Sequence, residues 1–375
     1  MQRRERPQIR TAEVSGMSER VIVGMSGGVD SSVAAWLLKK QGYDVIGVTM
    51  QLWQDAFYET REMQKKSCAS QAAEDARRVA GQLGIPHQLV DFQEEFKKGV
   101  VDYFVEEYRC GRTPNPCIVC NRRIKWEALL GRGRELGADY IATGHYARIL
   151  QLPGGRYTLR SSKTAEKDQT YALYQLTQEQ LSHTLMPVGE YTKDEIRALA
   201  AEAGLTVADK PDSQEICFIP DQDYTGFIER RLGAVPPEGN FVRADGTVIG
   251  RHRGITHYTV GQRKGLGIAL GHPVFVTELR PETNEVVIGE AEEVFTDTLF
   301  ATRLNWMAVE GPGSAPWKAR AKIRYNHRGA DCTIFSDGSD RVKVVFDSPQ
   351  RAVTPGQSVV FYSEDGYVLG GGTIL

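Results

Sequence analysis

The chain has little of what marks a membrane-embedded, disulfide-stapled or globally nucleic-acid-coating protein. No apolar run approaches the ~20 residues that span a bilayer, so no membrane partner is expected. Cysteine is sparse, at positions 68, 110, 117, 120, 217 and 332 of 375. That is too few for a disulfide scaffold in so long a chain. A reducing, cytoplasmic setting is expected, in which a working cysteine is catalytic, redox-active or metal-bound. Charge of one sign is also missing: 46 Lys and Arg against 48 Asp and Glu leave a net charge of −2. RNA binding would therefore rest on local basic patches. No internal repeat or long low-complexity linker is visible. Residues 1–17 carry Arg3, Arg4, Arg6 and Arg10 without an apolar core, which reads as a disordered tail rather than a secretory signal. One further absence is local. The run Gly24-Met-Ser-Gly-Gly-Val-Asp-Ser31 has no lysine where a Walker-type loop carries one, which excludes the usual kinase or GTPase loop.

What is present reads as a globular chain of two or three domains, 41% hydrophobic and 25% charged. Apolar strand patterns at 21–25, 45–50, 88–92 and 140–143 alternate with helical patterns at 31–40, 68–83, 94–108 and 122–136. Short continuous apolar strands with intervening helices predict a parallel sheet covered on both faces, with its ligand beyond the carboxyl ends of the strands. Helical character is expected to persist to about residue 205, with a capping box at Thr192-Lys-Asp-Glu195. From about 240 onward strand patterns dominate, among them 275–279, 286–289, 319–325, 342–346 and 359–362.

Three constellations carry chemistry. In Gly24–Ser31, glycines let backbone N–H groups approach phosphate oxygens, serines donate further, and a helix start adds favourable polarity. Asp30 either holds Mg²⁺ or caps the helix. The second is Gly111-Arg-Thr-Pro-Asn-Pro-Cys117-Ile-Val-Cys120-Asn121, a proline-stiffened loop crowded by Arg109, Arg112, Arg122, Arg123 and Lys125. Positive charge and a helix start would lower a thiol's pKa, and the same arginines would attract RNA phosphates. No second cysteine pair follows at zinc-site spacing, so a nucleophile is favoured over a metal ligand. The third is Asp209-Lys-Pro-Asp-Ser213-Gln-Glu-Ile-Cys217, whose cysteine is chemical only if it pairs with the Cys120 loop. Basic segments at 251–253, 261–267 and 318–328, with aromatics nearby, add an RNA-binding reading to the β-rich portion.

Together these strings resemble the bacterial tRNA-specific 2-thiouridylases over nearly the whole chain from Glu19. The resemblance also rests on Ala142-Thr-Gly-His-Tyr-Ala-Arg148, Lys167-Asp-Gln-Thr-Tyr171 and Tyr258-Thr-Val-Gly-Gln-Arg-Lys-Gly-Leu-Gly267. It implies an α/β fold: an N-terminal ATP-pyrophosphatase (PP-loop) domain at 18–222, a small central β-rich domain at 223–297 and a C-terminal β-barrel at 298–375. It implies sulfur insertion at C2 of the wobble uridine of tRNA, with ATP converted to AMP and pyrophosphate and Mg²⁺ as cofactor. Cys120 matches the family's nucleophile and Cys217 its persulfide carrier, forming a Cys120–Cys217 disulfide after transfer. A persulfide-donor protein, a cysteine desulfurase or a sulfur relay protein, is the implied partner. Gly24, Met25, Ser26, Gly27, Gly28, Val29, Asp30, Ser31, Met50 and Gly144 match ATP-binding positions. Asn115, Pro116, Cys117, His145, Lys167, Asp168, Gln169, Arg324, Tyr325 and Gln357 match tRNA-binding ones. Many family members have aspartate where this chain has Cys117. The substitution creates a Cys117/Cys120/Cys217 trio, enough ligands for an iron–sulfur cluster with one open iron, which is the second mechanistic reading. A rival class, a small-molecule ligase with the same phosphate loop, has no need of two separated cysteines. A non-catalytic RNA-binding module has no need of the loop.

Overall fold

The computed structural model describes residues 18–53, 68–208, 210, 216–313 and 315–375. The tail expected at 1–17 and much of the Asp209–Glu215 string lie outside the described residues. The chain divides into two compact units. One runs to Val100 and takes in Cys117–Phe218 and Gly366–Val368; the other comprises Val101–Pro116, Ile219–Asp365 and Leu369–Leu375.

The first unit is built on a parallel sheet in the order β3-β2-β1-β4-β7. Its strands are β1 (Arg20–Gly24), β2 (Asp44–Gln51), β3 (His87–Asp91), β4 (Tyr140–Ala142) and β7 (Thr184–Leu185). Val21, Ile22 and Val23 of the central strand are fully buried, as a strand covered on both faces requires. Helix α1 (Val29–Lys40) buries Val33, Ala34, Ala35 and Leu38 in the same core as Ala76, Val79 and Ala80 of the helix Cys68–Leu83. Ile196 and Ala200 of the helix Lys193–Glu202 complete it, and the Thr192/Glu195 capping box is formed. Strand order reverses between β1 and β4, so their carboxyl ends flank a topological switch point, where such sheets bind ligands.

Two expectations are corrected here. An antiparallel hairpin, β5 (Ala147–Gln151) with β6 (Tyr157–Ser161), interrupts the region read as helical. Its turn closes through Leu152 N–H on the Arg156 carbonyl at 2.8 Å, with Gly155 at φ +84°, a conformation suited to glycine. The helical stretches beginning at 94 and 122 are also not uniform α-helix: Lys97–Val101 and Asn121–Ala128 are wound as π-helix.

The second unit holds a four-stranded sheet and a closed six-stranded barrel. The sheet, in the order β10-β11-β8-β9, comprises β8 (Gly239–Val242), β9 (Val248–His252), β10 (Phe275–Arg280) and β11 (Glu285–Gly289). It packs Phe241, Val276, Val286 and Ile288 with Tyr258 in its core. The barrel runs β12-β15-β14-β13-β16-β17 through β12 (Phe295–Trp306), β13 (Trp317–Lys322), β14 (Ala330–Ser336), β15 (Arg341–Arg351), β16 (Ser358–Tyr362) and β17 (Val368–Ile374). Ala321, Cys332, Ile334, Val342, Val344 and Phe361 are fully buried. Strand β13 stops at Lys322, short of the expected Tyr325, which is exposed. An α/β fold leads into β-rich modules, as the sequence pattern predicts.

Candidate active site

The glycine loop leaves β1 at the switch point and enters α1 directly. Gly24 lies close to the tip of Met50 on β2, where an added Cβ would be 3.7 Å from the Met50 Cε. Gly27 adopts φ +67°, and a Cβ there would lie 2.3 Å from the Ala72 carbonyl oxygen, so no side chain fits. The loop's carbonyl oxygens are held from behind. Thr49 Oγ1 donates to the Met25 oxygen at 2.9 Å, and the hydroxyls of Ser31 and Ser32 donate to the Gly28 oxygen at 3.2 and 2.8 Å. Ser26 N–H donates to Ser31 Oγ at 3.2 Å. The backbone N–H groups of Gly27 and Gly28 have no acceptor among the described residues. That outward row of donors at a helix start is the arrangement that binds phosphate oxygens.

Asp30 is not the helix cap. The N-cap is Gly28, without a side-chain bond, and Asp30 lies in the first turn. Its carboxylate is taken by Lys193, whose Nζ donates to Oδ1 and Oδ2 at 2.8 and 2.9 Å, and by the Tyr146 hydroxyl, which donates to Oδ1 at 2.7 Å. With both oxygens neutralised by an ammonium, Asp30 does not fit a magnesium ligand in this arrangement. The segment leaving β4 explains the rest. A Cβ on Gly144 would sit 2.6 Å from the Ser31 nitrogen, so the segment can approach the start of α1 only as glycine. The next residue, His145, bonds the Thr143 hydroxyl at 2.8 Å through Nδ1 and packs 5.3 Å from the Trp126 ring. Burial, then Lys125, holds its imidazole well below the ordinary range, so His145 is neutral at pH 7.

The cysteines meet in the same unit. Cys120 and Cys217 both feel the thiol of Cys117 and the ammonium of Lys125, and Cys217 also feels Cys120. All three are free thiols here, with Cys120 buried and Cys117 and Cys217 exposed. The expectation of a lowered thiol pKa at Cys120 is overturned. Cys120 lies inside a continuous helical run, where the helix Pro116–Cys120 passes into the π-helix Asn121–Ala128, and not at a free helix start. Burial pushes its thiol up to about 11 despite Lys125. The Cys217 thiol is pushed up to about 12, first by desolvation and then by Cys120 and Cys117. Cys217 is an exposed residue, so that desolvation comes from protein crowded around its thiol and not from burial of the residue as a whole. Asn121 anchors the segment after Cys120: it is buried and donates to the Ala172 carbonyl at 2.9 Å. Among the described residues no group of three or more His, Cys, Asp and Glu side chains is arranged to hold a metal. The cysteine trio therefore does not fit an iron–sulfur cluster.

The residues matched to tRNA binding divide between the units. In the first, Lys167 ends the short helix Ala165–Lys167. Asp168 accepts from the Ser162 N–H and Thr170 hydroxyl at 3.3 and 2.7 Å, and Gln169 Oε1 accepts from the Tyr146 N–H at 2.8 Å. Gln169 thus braces the turn at Tyr146, and Asp168 ties Ser162 to Thr170. In the second unit, Arg112 is not a phosphate collector. Its guanidinium forks onto buried Glu107 at 2.7 and 2.8 Å. Gln357 Nε2 donates to the Thr113 carbonyl at 2.8 Å, just ahead of Asn115 and Pro116. His252, within a basic segment read as RNA-facing, is buried and accepts from the Gly254 N–H at 3.0 Å. Arg324 and Arg328 instead line an open cavity of about 620 Å³ on the barrel with Asn326, His327 and Gln350. Sequence reasoning missed Lys193, Lys210, Tyr146 and Asp75. Only the missing lysine of the loop signalled that a cation must come from elsewhere.

Comparison with known proteins agrees with this layout. Three family models match in succession: a tRNA methyl transferase HUP domain over residues 19–221, a tRNA methyl transferase PRC-barrel domain over 225–290 and an aminomethyltransferase beta-barrel domain over 296–374. A protein of Lachnoclostridium phytofermentans named "tRNA-specific 2-thiouridylase MnmA" is 62% identical over 95% of this chain and 99% of its own length. Proteins of the same name from Clostridium kluyveri and Acetivibrio thermocellus are 55% and 54% identical, over 96% and 95% of this chain and 99% of their own lengths. Relatives this similar, matched almost end to end, place the chain in the tRNA-specific 2-thiouridylase family.

Proposed function

We propose that this protein inserts sulfur at C2 of the wobble uridine of tRNA at the expense of ATP. The observation that carries the reading is the meeting of Cys120, Cys217 and Lys125 in the same unit as a glycine loop with outward N–H donors. A rival small-molecule ligase would require only the second feature.

In this reading the uridine C2 oxygen attacks the α-phosphorus of ATP. Pyrophosphate leaves, and a poor leaving group becomes one that departs as AMP. The loop donors of Gly27 and Gly28 bind the phosphates. A donor protein, a cysteine desulfurase or a sulfur relay protein, has first left a persulfide on Cys217, whose exposed position suits docking. The terminal sulfur attacks C2 and AMP is expelled, leaving the base joined to Cys217 through a disulfide. The Cys120 thiolate then attacks the Cys217 sulfur, and the breaking S–S bond gives its electron pair to the sulfur on C2. The products are 2-thiouridine and a Cys120–Cys217 disulfide, which a thiol reductant returns to two thiols. Lys125 stabilises thiolates at both positions. Mg²⁺ would accompany the nucleotide, with Asp30 held by Lys193. A compartment holding tRNA and thiol reductant, the cytoplasm, is the setting proposed; no helix of the described residues is long and apolar enough to cross a membrane.

The test is mass analysis of tRNA nucleosides after incubation with ATP, Mg²⁺ and a persulfide donor. The expected product is 2-thiouridine at the wobble position alone. Sulfur elsewhere in the tRNA, or none under these conditions, would refute the assignment.

A further inference from the structure

A phosphate loop with no lysine of its own receives one from far along the chain. Lys210 Nζ donates to the Gly27 carbonyl at 3.0 Å and to Asp75 Oδ2 at 2.8 Å. We propose that Lys210 is a positioning residue that locks the Gly27–Gly28 peptide so that its N–H faces the phosphate side of the loop. The inference rests on the loop binding ATP, as proposed above.

The argument is one of peptide geometry. In a trans peptide the C=O and the following N–H point in opposite directions, so fixing the oxygen of Gly27 fixes the N–H of Gly28. The neighbouring carbonyls of Met25 and Gly28 have hydroxyl partners supplied by Thr49, Ser31 and Ser32. Among the described residues, the Gly27 oxygen has Lys210 alone. A peptide between two glycines is the one most free to rotate, because neither residue has a Cβ to restrict it. Unlocked, it would turn a carbonyl dipole towards an anion.

The lysine is itself held. Asp75 is buried on the helix Cys68–Leu83, braced by Gln71 at 3.2 Å and Arg78 at 3.3 Å. The hydrogen bond from Lys210 is the largest influence keeping its carboxyl below the ordinary range. The same helix backs the loop at Ala72. Lys193 acts elsewhere, on the Asp30 carboxylate.

ATP binding by calorimetry, with tRNA binding and melting measured alongside, tests the lock. Lys210→Met is expected to weaken ATP binding by about tenfold or more, and Lys210→Arg to restore most of it. Affinity for tRNA and the KM for tRNA should be unchanged, while the KM for ATP rises. A folded Lys210→Met chain that binds ATP like the native one would overturn the lock. Asp75→Asn removes the anchor but leaves an ammonium, and it too should weaken ATP. Tighter ATP binding by Asp75→Asn would mean that Lys210 touches phosphate itself, and the lock would be wrong. Should Lys210→Met not fold, Asp75→Asn and Lys210→Arg decide by the same criteria. Failure of the native chain to bind ATP would instead sink the nucleotide reading, and the lock with it.

Discussion

The nucleotide loop and the loop ahead of the cysteines divide their local and long-range bonds differently. In Gly24–Ser31 the serines bond locally, with Ser26, Gly28, Ser31 and Ser32 joined at separations of five residues or fewer, while distant residues take the Met25 and Gly27 carbonyls and the Asp30 carboxylate. In Gly111–Thr113, Gly111 and Arg112 bond back to Tyr108 and Glu107, and Thr113 is held from far along the chain. The Thr113 N–H reaches the Pro355 carbonyl at 2.8 Å, its carbonyl accepts from Gln357, and its hydroxyl donates to Thr259 at 3.2 Å. Gly356, at φ +89°, lies so close that a Cβ would be 2.9 Å from the Thr113 nitrogen. Local bonds leave a contiguous motif in a sequence. Long-range bonds leave isolated residues with no evident purpose.

The comparison can be broken most severely at the sulfurs. Cys120→Ser and Cys217→Ser are each expected to lower thiolation by about 10³-fold or more with melting temperature retained. Full thiolation by either variant would remove the persulfide reading. Next in size is pH. With the Cys120 thiol pushed up to about 11, its thiolate fraction rises with pH. The single-turnover rate of thiolated-base release should climb about tenfold per unit from pH 7 to 9. A plateau below pH 8 would place a different group in control.

The loops themselves separate at smaller scale. Arg112→Ala leaves the buried Glu107 carboxylate only Arg303, at 3.9 Å, and should cost about 2 kcal/mol in urea unfolding, discounted for that second cation and because a third of the Arg112 side chain meets water. Gly27→Ala should cost about 2 kcal/mol from its positive φ and its clash with Ala72, whereas Gly28→Ala, whose Cβ would lie no nearer than 3.4 Å to Ser26 Oγ, should cost well under half of that. Equal losses for the two glycines would mean that the loop's shape is not set by the Ala72 contact.

The same distinction explains how far the sequence could be read. The parallel sheet was visible because β1, β2 and β4 are short apolar runs, and the helix Cys68–Leu83 because its apolar period is clean. The β5–β6 hairpin was hidden because it carries a weak alternation between helical stretches. At the site, the glycines and cysteines were evident from their motifs. Lys193 and Lys210 were not, since a lysine's role depends on what the fold places within its reach. Arg112 was misread for the same reason: its charge was counted as available for RNA when Glu107, five residues earlier, had already claimed it.

The barrel has a consequence for how the chain comes into being. Strand β12 pairs with both β15 and β17, so the first barrel strand in chain order lies against the last. During N-to-C synthesis the five earlier strands would present two unpaired edges until β17 emerges. An open edge is a template for pairing with another chain. The barrel is thus most exposed to misassembly in the interval before its final strand leaves the ribosome, and once closed it has no edge left to offer.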